Sequence, residues 1–210
     1  MDTYIMNIEI IYFSFPFWRA EVSRIALHLG DIPFINTQIS REQFQKLKKE
    51  EALPFGQVPI MIVDGITVAQ TGAIARYCGK LASLYPLDPL EAARVDQFIE
   101  GANDLTVAMW PSIWIKDAER RQAKRKEAVN VIIPKWFHFF EKSIIGPYCT
   151  ESFTIADIAM WRILGWFCEG ILDQVPRDIL DSYPKLKVLY KTVGANSKIQ
   201  DWMKQYQNES

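Results

Sequence analysis

The stretch Pro54-Phe55-Gly56-Gln57-Val58-Pro59-Ile60-Met61-Ile62-Val63-Asp64-Gly65-Ile66-Thr67-Val68-Ala69-Gln70-Thr71-Gly72-Ala73-Ile74-Ala75-Arg76-Tyr77 decides how this chain folds. Ile60 to Val63 and Ile66 to Ala69 are apolar, β-branched runs of strand length, and the Asp64-Gly65 pair between them tolerates the positive φ angles of a tight hairpin turn. A helix over about Thr71 to Leu81 follows. Upstream, Ile8, Ile10, Ile11, Tyr12 and Phe13 predict a strand that ends near Pro16. Val22, Ile25, Ala26 and Leu29 then fall at i, i+3, i+4 and i+7, with Gly30 at the stop position and Pro33 beyond, which is the pattern of an amphipathic helix. Pro33 to Ile39 reads as a second strand, parallel to the first across a right-handed crossover. Arg41 to Glu51 is polar and weakly helical. The order β-α-β, loop, β-β-α predicts a thioredoxin-like α/β domain over residues 1–84.

Tyr85-Pro86-Leu87-Asp88-Pro89 breaks this pattern, and its two prolines mark a linker. Beyond it no strand alternation is sustained, whereas Ala92, Val95, Phe98, Ile99 and Ala102 hold a 3.6-residue period. An all-α domain over residues 90–210 is expected. Lys116 to Glu127 carries charges of both signs and reads as a solvated helix end with no binding role. Thr154-Ile155-Ala156-Asp157 has the spacing of a capping box, in which two polar side chains satisfy the free backbone N–H groups that open a helix. The apolar run Ile158 to Trp166 behind it predicts a core helix.

The 24 Lys and Arg against 25 Asp and Glu leave a formal net charge of −1, so the cationic surplus that nucleic-acid binding requires is missing. The longest stretch without a charged side chain, Ala52 to Val63, holds two prolines and falls well short of the ~20 residues that cross a bilayer. Met1-Asp2-Thr3-Tyr4 lacks the basic start of a secretory signal, so a cytoplasmic location is expected. Cys78, Cys149 and Cys168 are odd in number and far apart, which argues for reduced thiols packed as small hydrophobes and against a zinc site. His28 and His138 are equally isolated. No metal is expected.

The segment 54–77, together with Tyr12-Phe13, Arg19-Ala20-Glu21 and Thr154 to Asp157, resembles the cytosolic glutathione transferases, nearest to their sigma class. The similarity is dense over residues 54–77 and sparser elsewhere. The family usually has glycine before Arg-Ala-Glu; this chain has Trp18 and one extra residue between Tyr12 and Arg19. The resemblance implies the glutathione transferase fold, a cytoplasmic homodimer, and conjugation of glutathione to hydrophobic electrophiles, a detoxification chemistry. Phe44, Lys48, Gln57, Val58, Pro59, Gln70 and Thr71 would then bind glutathione, with Val58-Pro59 in the cis form. Asp104 would reach the glutathione ammonium of the other subunit. The electrophile would lie between the two domains against Phe13, Phe15, Phe17, Met109, Trp110, Trp114 and Ile163.

Each implied contact has a physical reason. The helix start near Thr71 offers unpaired N–H groups and a favourable dipole to the γ-glutamyl carboxylate. Val58 presents backbone N–H and C=O to the cysteinyl unit in the manner of an added strand. Tyr12 would donate a hydrogen bond to the thiolate, and Arg19 would add positive potential or pair with Glu21. Asp96, Glu100 and Asp104 line one helix face at i, i+4 and i+8, which attracts a partner cation. Two alternatives stand beside this reading. Ser14, before Trp18-Arg19, resembles the serine of zeta-class isomerases, and the fold also admits a protein that binds ligands without turnover.

Overall fold

The computed structural model describes residues 6–206, and their contacts form two units: the described residues of Met1–Tyr85 and of Ser197–Ser210, and Pro86–Asn196. In the first unit a four-stranded sheet runs in the order β2-β1-β3-β4, with β1 Ile8–Tyr12, β2 Ile35–Gln38, β3 Ile60–Val63 and β4 Ile66–Ala69. The β1–β2 pair is parallel, and the β1–β3 and β3–β4 pairs are antiparallel. The Asp64-Gly65 turn takes φ angles of 48° and 84°, as its composition predicts. β2 is shorter than Pro33 to Ile39 because a proline nitrogen cannot donate to a ladder.

Helix α1 (Trp18–Leu29) buries Ala20, Val22, Ile25, Ala26 and Leu27, each such aliphatic side chain larger than alanine contributing ~1.5–3 kcal/mol. It ends at Gly30, where a Cβ would lie 2.9 Å from the Ala82 Cβ. That approach admits only glycine. Helix α2 (Arg41–Lys49) is better defined than its polar sequence suggests, since Ser40 and Gln43 form a capping box. Helix α3 (Thr71–Leu81) matches its expected span.

The second unit is all helical, as expected: α4 (Pro89–Met109), α5 (Ala118–Glu127), α6 (Ile133–Ser143), α7 (Ile155–Cys168) and α8 (Pro184–Gly194). Asp88 caps α4 and Asp117 caps α5. Between α5 and α6 the helix widens into a π turn, Ala128–Ile132, just before Pro134, whose ring displaces one helical hydrogen bond. α7 is the central element, buried from Ile155 to Phe167, which is the expectation for a helix apolar on every side. The sequence reading places residues 197–206 in the helical domain, whereas helix α9 (Ser197–Met203) and the turn Lys204–Tyr206 group by contact with the first unit, α9 against α1. Lys198 Nζ pairs there with Asp31 at 2.7 Å. Sequence spacing does not foresee this return because the contact spans 167 residues.

Candidate active site

Strand register brings three separate segments of the first unit to one end of its sheet. Ile11 pairs with Ile60, and Ile60 with Ala69. The next residues outward are therefore Tyr12 at the end of β1, Pro59 before β3, and Gln70 after β4. Gln38, at the end of β2, pairs with Tyr12 and leads to α2, so α2 also starts from that end.

Tyr12, Val58 and Ile60 belong to one buried cluster, and Phe13, Phe17 and Phe44 pack against it. The Phe13 ring stacks on Phe15 at 5.6 Å and meets Phe44 edge-on at 5.4 Å. Phe15 is 52% exposed, so this aromatic group has one face in the core and one open to a ligand. The Val58-Pro59 bond is cis, as the resemblance implies. Gln57 is exposed, while Val58 and Pro59 are buried. Lys48 lies with its ammonium 5.9 Å from the Phe44 ring centre, and its Cε is 3.8 Å from where a Gly56 Cβ would stand. Lys48 thus lies beside the turn that carries Gln57 and Val58. Ser14 is exposed in the loop beyond β1.

Gln70 opens α3 with φ 76° and ψ 124°, and no side chain caps that helix. A non-glycine residue in this region carries ~1–3 kcal/mol of strain, which folded proteins tolerate mainly at functional sites. Thr71 is nearly buried beside it. The uncapped first turn leaves backbone donors and the positive end of the dipole available to an anion.

Burial holds the Tyr12 phenol well above the ordinary tyrosine value, against the opposing charges of Arg19 and Arg24. Tyr12 therefore keeps its proton and can donate it. Arg19 is half-buried, and burial lowers its own pKa while the coupling to Tyr12 raises it. The cysteines are free thiols. Burial pushes the Cys78 thiol up to about 12 and the Cys149 thiol well above its usual value, so neither supplies a nucleophile at neutral pH.

In the second unit, Asp104 is exposed on α4, on the face shared with Asp96 and Glu100. Trp114 is 69% exposed and Trp110 half-buried, whereas Met109 and Ile163 have no accessible surface. Met109 and Ile163 are packed as core residues, and the expectation that they line an open pocket gives way to that packing. The Glu21 carboxylate is engaged by Arg24, Trp202 and Tyr206. Sequence spacing signals only the i, i+3 pair of Glu21 and Arg24; the two C-terminal aromatics carry no such sign.

The first unit thus holds a thioredoxin-like sheet with a cis-proline turn and an open helix start, joined in sequence to a helical unit. The glutathione S-transferase N-terminal domain matches residues 8–80 and the C-terminal domain matches residues 103–206. This chain belongs to the glutathione S-transferase family. The human hematopoietic prostaglandin D synthase is 28% identical over 94% of this chain and 96% of its own. Rat glutathione S-transferase alpha-4 is 31% identical over 75% of this chain and 69% of its own. Among solved structures, the prostaglandin synthase D of Nilaparvata lugens superposes with a TM-score of 0.83 at 30% identity, covering 94% of this chain and 97% of its own. Among the described residues no helix is long and apolar enough to cross a membrane, and no group of His, Cys, Asp and Glu is arranged to hold a metal.

Proposed function

We propose that this protein binds reduced glutathione at the sheet end of its first unit and activates the thiol, through a hydrogen bond from Tyr12, for attack on a hydrophobic electrophile. The observation that carries this reading is the convergence of Tyr12, the Val58-Pro59 turn and the uncapped start of α3 at one end of the sheet. Glutathione is an extended anion that suits such a surface. Its γ-glutamyl carboxylate would meet Gln70, Thr71 and the N–H groups of α3, its cysteinyl backbone would pair with Val58, and its glycyl end would approach Phe44, Lys48 and Gln57.

A free thiol with a pKa of ~8.5 is only a few per cent ionised at neutral pH. Lowering that value by ~2 units takes roughly 2.7 kcal/mol, within reach of a charge-assisted hydrogen bond aided by a nearby cation. Tyr12 supplies the donor and Arg19 the cation. The thiolate attacks, a carbon–sulfur bond forms, and the electrophile's leaving group or electron pair carries off the negative charge. Phe13, Phe15 and Phe17 offer an apolar wall near the sulfur. Self-association into a homodimer, with Asp104 directed to the partner copy's glutathione ammonium, belongs to the same proposal, as do the sigma-like class and a cytoplasmic location.

Tyr12→Phe tests the reading. Turnover of a chlorinated nitrobenzene should fall about 100-fold at neutral pH while glutathione KM changes little, because the lost bond stabilises sulfur rather than the peptide. Ser14→Ala should leave the rate within about twofold. The opposite pattern would favour the serine-based isomerase, and binding to a glutathione resin without turnover would favour a carrier. The prostaglandin D synthase relatives favour one further reading: the same thiolate serving an isomerisation of a lipid peroxide, in which glutathione is returned rather than consumed. Measuring glutathione consumed per product separates the two.

A further inference from the structure

A buried acid–base cluster on α1 lies outside the residues assigned to glutathione. Glu21 and Arg24 are both fully buried, with Arg24 Nη1 2.9 Å from Glu21 Oε1. The end of the chain completes the carboxylate's partners: Trp202 Nε1 donates to Glu21 Oε2 at 2.8 Å, and Tyr206 Oη donates to Glu21 Oε1 at 2.9 Å. Arg24 turns Nη2 to the Phe13 carbonyl at 3.4 Å, and its guanidinium carbon lies 5.7 Å from the centre of the Tyr12 ring. A buried ion pair adds little net stability over an apolar pair of the same volume, because both charges lose their water. Stability therefore does not explain why four side chains are spent on it.

We infer that Arg24 is a positioning residue for Tyr12, and that Glu21, Trp202 and Tyr206 hold Arg24 in place, so that the end of the chain sets the aim of the phenol. The inference rests on the reading of Tyr12 as the donor to sulfur. Cation–π attraction fixes the ring, and the bond to the Phe13 carbonyl pins the backbone immediately after it. With ring and backbone held, the hydroxyl keeps one direction in which to offer its proton. The Arg24 charge also opposes part of the burial effect on the phenol, which makes the proton easier to share.

Arg24→Ala would strand the buried Glu21 carboxylate and risks unfolding the protein. Trp202→Phe and Tyr206→Phe each remove one donor to Glu21 while keeping an aromatic ring, and Lys204→Ala alters the exposed side of the same segment as a control. The readouts are the pKa of the bound glutathione thiol, taken from the ultraviolet absorbance of its thiolate, together with kcat and KM in the full-length protein. Each Phe variant should raise the bound thiol's pKa by about half a unit and lower kcat about threefold at neutral pH, with glutathione KM within about twofold. Lys204→Ala should do neither. Phe variants that lose thermal stability with the thiol pKa unmoved would overturn the inference and assign the cluster to folding alone. Tyr12→Phe is measured alongside. If it moves the thiol pKa and the Phe variants do not, the inference fails and the reading of Tyr12 stands; if Tyr12→Phe does not move it, that reading fails and takes the inference with it.

Discussion

Two helices of this protein have a threonine at their start, Thr154 as the cap of α7 and Thr71 as the first residue of α3, and they treat their free N–H groups in opposite ways. At the start of α7, Thr154 accepts from Ala156 N, and the Asp157 carboxylate accepts from Thr154 N at 2.7 Å and from Cys149 N at 2.6 Å. Every one of these groups is buried. At the start of α3, Gln70 is exposed and strained, and no side chain caps the turn. The first helix closes its own N-terminus and so anchors a core; the second leaves donors open and carries strain to do so. A polar residue at a helix start therefore signals stability or ligand binding according to whether its partners lie within the chain.

Replacing Asp157 should have the largest effect on this contrast. Asp157→Ala leaves two buried backbone N–H groups unpaired and should cost about 3 kcal/mol in chemical denaturation, while the glutathione affinity of the folded fraction stays unchanged. Loss of affinity in parallel with stability would mean that the two helix starts are not independent. Gln70→Gly should act in the reverse sense. Relief of the strain, less the added freedom of the unfolded chain, should stabilise the protein by roughly 1 kcal/mol while glutathione binding weakens. A gain in both would remove Gln70 from the binding surface.

The smallest effect is a drift with pH. Burial raises the folded Asp157 carboxyl above its ordinary value, although the bonds from Cys149 and Thr154 pull it down. A raised folded pKa means that proton binding favours the fold. The contribution of this group is complete below the ordinary carboxylate value and is lost as the pH rises through the folded one. Asp157→Asn does not titrate, so the stability difference should move in favour of the variant as the pH rises above the ordinary carboxylate value. A drift toward the wild type would show that the two hydrogen bonds outweigh burial.

Much of the fold was legible because its signals are local. The Asp64-Gly65 pair sets the hairpin and its register, the apolar spacing of residues 22–29 sets the buried face of α1, and Thr154 with Asp157 marks the start of α7 before any packing is considered. The Ser40–Gln43 box was equally local, yet it was hidden in a charged stretch whose weak apolar period understated the helix. The pocket residues were less legible. Met109 and Trp114 are both apolar and only a few positions apart, but the first has no accessible surface and the second is largely exposed. Helical spacing does not separate a core residue from a ligand wall, since both are apolar and differ only in what faces them.

By itself the sequence determined the order of the strands and helices over residues 1–84, the hairpin turn, the capped start of α7 and the residue types of the strand-end site, because each depends on neighbours within a few positions. Only the tertiary structure decided that Tyr12, Val58-Pro59 and Gln70-Thr71 share one end of a sheet, and that Trp202 and Tyr206 complete the partners of Glu21. Those contacts join residues up to 185 positions apart. Their formation depends on the packing of whole elements against one another, and a local pattern carries no record of it.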